Sequence, residues 1–151
     1  MMVFDVVDDI QGAVYVALLA ELGRNADTIG FVVQGDIAAE GKQLLDQIES
    51  AKVSDSIQQS WPGTTLLNGF GRVLEYNVNP SVLKAMTDFA SGLFDWSKRS
   101  FPEDLFMTSG TTVLLETVGH ERVAFVRSEE MSPLLQSLVN DGIIAVYHQS
   151  L

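Results

Sequence analysis

The chain has 151 residues, 46% of them hydrophobic, and carries 20 Asp and Glu against 9 Lys and Arg, a formal charge of −11. That apolar content excludes an acidic disordered chain, and the length is that of a single globular domain, 1–151. The charge disfavours nucleic acid and anionic lipid, and the lack of cysteine removes disulfides, thiolate zinc sites and a cysteine nucleophile.

The segment Met1-Met2-Val3-Phe4-Asp5 has no basic region and no small-residue cleavage site of the secretory type. The longest apolar stretch, Ala13–Ala20, falls well short of the roughly 20 residues of a membrane span. The expectation is a soluble, cytoplasmic chain with no membrane contact.

Phe4–Val7 predicts a short strand. Asp8 or Asp9 then stands at a helix N-cap position and Gly23 at a C-cap position. Between them Ala13–Ala20 is apolar all round, so periodicity alone leaves helix and strand pair open. The Ala, Leu and Glu of its second half favour helix. Ile29–Val33 predicts a strand, and Asp36 is placed to cap a helix. Ile37, Gly41, Leu44, Leu45 and Ile48 make that helix's apolar stripe.

Ser54–Gly63 is polar and ends in Trp61-Pro62-Gly63, which predicts a long loop. Asn68-Gly69 between Thr64–Leu67 and Phe70–Tyr76 predicts a hairpin with a type I′ turn. Asn79-Pro80 opens a helix with Asn as N-cap and Pro in the first turn. Its stripe is Val82, Met86, Phe89, Leu93 and Trp96, and Lys98, Arg99, Ser100 and Pro102 end it. Leu105–Thr108, Thr111–Val118 and Arg122–Arg127 predict an antiparallel meander. Ser132-Pro133 starts a short helix, and Ile143–Tyr147 closes as a strand. The class is α+β: a mostly antiparallel sheet, hairpin plus meander, with three to four helices packed on one face.

The chemistry-bearing residues are few. His120 and His148 are the only histidines. His120 and Glu121 share a predicted turn, where a carboxylate beside an imidazole suits a general base or a cation. A solvated turn explains the same dipeptide. A zincin motif would need histidine at position 124, which is Ala. Asp5, Asp8 and Asp9 cluster, but helix capping accounts for them and no EF-hand pattern follows. Gly69-Phe70-Gly71 and Gln34-Gly35-Asp36 match no phosphate-binding spacing, and Ser109 lies in no nucleophile motif. Trp61, in its polar loop, is the candidate binding residue, either an exposed interface anchor or a lid folded over the core. Lys98-Arg99 is an isolated basic pair and suits no nucleic acid.

These observations lead to a non-catalytic acidic interaction domain that binds a basic protein partner, of the kind a bacterial immunity or inhibitor protein represents by size and composition. No cofactor and no metal site is expected, and a homodimer is open. The alternatives are a small hydrolase or metal-dependent enzyme using His120 and Glu121, with His148, Asp104 or Glu116 converging on them, and a small-ligand sensor.

Overall fold

A computed structural model describes residues 1–97 and 101–147. Lys98, Arg99 and His148 therefore lie outside the described residues, and so does the idea that His120 and His148 converge.

The elements in chain order are β1 (Met2–Val6), α1 (Gly12–Gly23), β2 (Thr28–Val33), α2 (Ala39–Ile48), β3 (Lys52–Gln58), β4 (Ser60–Trp61) and β5 (Thr64–Thr65). There follow β6 (Gly71–Asn77), α3 (Pro80–Phe89), β7 (Glu103–Ser109), β8 (Thr112–Val118), β9 (Val123–Ser128), α4 (Pro133–Asn140) and β10 (Ile144–Val146). Eight strands form one sheet in the order β10-β1-β9-β8-β7-β2-β6-β3, and its pairings are antiparallel. β4 and β5 make a separate small hairpin.

Period-two patterning decides what each sheet face meets. On one face Phe4, Ile29, Phe31, Leu74, Tyr76, Leu105, Met107, Leu115 and Val126 pack in a single cluster with Leu18, Leu22, Leu44, Ile48, Met86, Leu135 and Leu138 from the four helices. Phe31 stacks between Tyr76 and Trp96, with ring centroids 5.5 and 5.6 Å away. The Trp96 indole donates to the Tyr15 hydroxyl at 3.0 Å, which gives a fully buried N–H its acceptor. Burial pushes the Tyr15 phenol far above its ordinary value. On the opposite face a smaller cluster of Val32, Val73 and Phe106 is covered by Trp61 and Leu66 of the small hairpin. The α+β class with helices against an antiparallel sheet is as the sequence predicts. No helix among the described residues is long and apolar enough to cross a membrane.

Several local expectations need correcting. Ala13–Ala20 is helical, but α1 starts after Gln11, and Asp9 instead accepts from Phe94 N (3.1 Å) and Gln11 Nε2 (2.7 Å). The N-cap of α2 is Ala38, with no side-chain cap, so Asp36 is not the cap of this helix. The predicted loop 54–63 holds most of β3 and all of β4. β5 pairs with β4 through Pro62-Gly63 and not with β6. Asn68 has no positive φ, which a type I′ turn requires, while Gly69 does. The helix opened by Asn79-Pro80 stops at Phe89. Leu93 and Trp96 reach the core from beyond it, Leu93 in a short 3-10 turn.

Candidate functional site

The helix-free face of the sheet is only half covered. The β4–β5 hairpin lies over the β2–β6–β7 part, and Trp61 is its anchor. The indole is 6% exposed and donates from Nε1 to Asp104 Oδ2 at 3.0 Å. Gly71 makes this seat, since a Cβ there would stand 2.8 Å from the Trp61 ring. Asp104 is 2% exposed, has φ +57°, and its Oδ1 accepts from Gly119 N at 2.9 Å. Of the two expectations for Trp61, the structure has the lid.

The other half of this face, formed by β10, β1, β9 and β8, has no layer above it among the described residues. Core-facing Phe4, Val6, Ala124, Val126 and Leu115 alternate with Val3, Asp5, Val123, Phe125, Arg127, Glu116 and Val118, which therefore point to the open side. Strand register sets Asp5 opposite Phe125 and Phe125 opposite Glu116. Tyr147 meets Phe125 edge to face at 5.5 Å. Glu116 Oε1 accepts from Arg127 Nη2 at 3.2 Å.

A trough runs along this half. Its largest part, about 470 Å³, is lined by Val3, Glu116, Phe125, Arg127 and Tyr147. It continues past Val118, Val123, Glu121 and Gly63. It ends in a cleft of about 290 Å³ between the hairpin, Gly63–Leu66, and the turn that carries His120 and Glu121. Two carboxylates, Glu116 and Glu121, line it with one guanidinium, Arg127, and Asp5 stands on the same sheet face opposite Phe125. Asp5 has no hydrogen-bond or ion-pair partner among the described residues.

His120 and Glu121 thus sit at one end of the trough, in a 3-10 turn closed by Arg122 at φ +55°. Their side chains are each 63% exposed, with Nε2 and Oε1 3.8 Å apart. Burial pushes the neighbouring Glu103 carboxyl above its ordinary value. The negative charge of Asp104 adds to this and His120 opposes it. Of the acids considered as partners for His120, Asp104 has one oxygen on Trp61 and the other on Gly119, and Glu116 faces Arg127. Among the described residues no group of three or more His, Asp or Glu is arranged to hold a metal ion. This arrangement can bind and screen a ligand. In it the His120 and Glu121 side chains are solvent-exposed, and the desolvated carboxyl is that of Glu103.

Sequence reasoning missed Asp5, Phe125 and Tyr147 as neighbours, because β1 and β9 pair across most of the chain. The outward alternation Val123, Phe125, Arg127 was the available signal. No protein-family model, curated protein or solved structure matches the chain.

Proposed function

We propose that the chain is a non-catalytic acidic interaction domain that engages a basic protein partner across the open half of its sheet. One observation carries this reading: the uncovered face interleaves Val3, Phe125, Val123 and Val118 with Asp5, Glu116 and Glu121. A half-buried apolar strip with no layer over it among the described residues, exposed at Val123, suits an interaction site, and its carboxylates select the sign of the partner. The chain's charge of −11 adds long-range steering toward a cation. A homodimer through this face would bring Asp5, Glu116 and Glu121 toward their own copies, so like-charge repulsion works against it. An immunity or inhibitor protein acting on a basic toxin in a bacterial cytoplasm is the concrete form of this reading.

The test is copurification from the native host of the tagged chain and of V123R, which plants a positive charge in the trough. One stoichiometric basic protein is expected with the unsubstituted chain, released by high salt and absent with V123R. No stoichiometric partner, or one that V123R retains equally, overturns the reading.

A further inference from the structure

We infer that Phe125 is the floor of a slot for an arginine side chain of the partner. This rests on the reading above and specifies its chemistry. Phe125 lies between two carboxylate-bearing residues on neighbouring strands, Asp5 of β1 and Glu116 of β8, each paired with it in register. Directly opposed residues in an antiparallel pair have Cβ atoms roughly 4.5–5.5 Å apart, so the Asp5 and Glu116 side chains flank that of Phe125. Tyr147 lies next to it, its ring at 78° to that of Phe125 with centroids 5.5 Å apart. A planar cation stacked on that ring gains the attraction of the aromatic face and reaches a carboxylate from its edge.

Arginine fits this better than lysine. A guanidinium stacks flat and donates in a fork to a carboxylate, while an ammonium is a hydrated point charge. Asp5 has both oxygens available. Glu116 uses Oε1 for Arg127, leaving Oε2. The chain already uses the same pairing elsewhere, with Arg122 standing 5.0 Å over the Phe94 ring. Arg127 lines the same trough, with Nη2 on Glu116 and Nη1 buried without a hydrogen-bond partner among the described residues, so Glu116 and Arg127 offset one another and the unpaired negative charge beside the ring is that of Asp5.

The experiment is a titration of the 15N-labelled full chain with hexa-arginine and hexalysine peptides at low salt, followed by amide shifts, on the unsubstituted protein, D5N and F125L. D5N is nearly isosteric and removes one charge. F125L keeps an apolar side chain and removes the ring. Hexa-arginine is expected to bind more tightly than hexalysine, to shift the amides of Asp5, Glu116 and Phe125 most, and to weaken roughly three- to tenfold in either variant. Equal binding of both peptides on this face, unchanged in D5N and F125L, overturns the slot and leaves the acidic docking face standing. Shifts centred on Glu40 and Asp46, which are exposed on α2, or no binding of either peptide, overturn the slot and the docking face together.

Discussion

The Trp61 indole donates to the Asp104 carboxylate at 3.0 Å, and this bond ties the β4–β5 hairpin to β7. The hairpin lies over Val32, Val73 and Phe106, and the trough ends against it at Gly63. Trp61→Phe keeps an aromatic ring but strands Asp104 Oδ2 in a buried site. A loss of about 1–3 kcal/mol is expected, the cost of an unpartnered buried polar group. Urea unfolding measures it, and an unchanged midpoint would show that the hairpin is held by apolar packing alone.

Glu103 is the next consequence of the same corner. Its carboxyl is raised above the ordinary 4.5, first by burial and then by Asp104. A raised carboxylate binds its proton more readily folded than unfolded, so it lowers stability as pH rises through this range and stays unfavourable above it. Glu103→Gln removes the charge. It is expected to raise the thermal midpoint at neutral pH, with the gain vanishing as pH falls below 4.5. A gain that persists in acid would refute an electrostatic cause.

Residues 79 and 36 separate a cap that forms from one that only reads as a cap. Asn79 Oδ1 accepts from Val82 N at 2.9 Å at the start of α3, whereas α2 starts three residues after Asp36, at Ala39. Asn79→Ala should cost roughly 0.5–2 kcal/mol. Asp36→Ala should stay within about 0.5 kcal/mol of the unsubstituted chain. Chemical denaturation of the two variants side by side checks the pair, and equal losses would contradict it.

Much of this architecture is legible in the sequence where the signal is local. Asn79-Pro80 and Ser132-Pro133 announce α3 and α4, because a capping side chain and a proline in the first turn act within four residues. The meander of β7, β8 and β9 follows from alternation and short turns. The reading fails where tertiary contacts outweigh local preference. Lys52–Gln58 is polar enough to resemble a loop, and is a strand because β6 supplies its hydrogen-bond ladder. Asn68-Gly69 has turn chemistry but joins no hairpin, since Pro62-Gly63 already turns β4 into β5. The candidate site was legible only at one end. His120 and Glu121 stand out by residue type, while Asp5, Phe125 and Tyr147 become neighbours only through pairings between distant strands.

Edge strand β3 carries the opposite pH signature to Glu103. Arg72 donates from Nε to Asp55 Oδ1 at 2.9 Å and from Nη2 to Oδ2 at 2.7 Å, a two-point pair across β3 and β6. The Arg72 hydrogen bonds hold the Asp55 carboxyl below its ordinary 3.8, with the charges of Arg72 and Lys52 adding to the effect. A lowered carboxylate gives stability that is present above the ordinary value and lost as pH falls through the folded one. The pair is solvent-facing, so its contribution is small, roughly 0.2–1 kcal/mol, and salt screens it. Asp55→Asn is therefore expected to lower the unfolding midpoint slightly at neutral pH and low salt. The difference should shrink in high salt and close in strong acid. Because β3 has no neighbour on its outer edge among the described residues, hydrogen exchange of β3 amides should report the loss more sensitively than global unfolding. Exchange in β3 that is the same in D55N as in the unsubstituted chain would mean that the backbone ladder to β6 alone holds the strand.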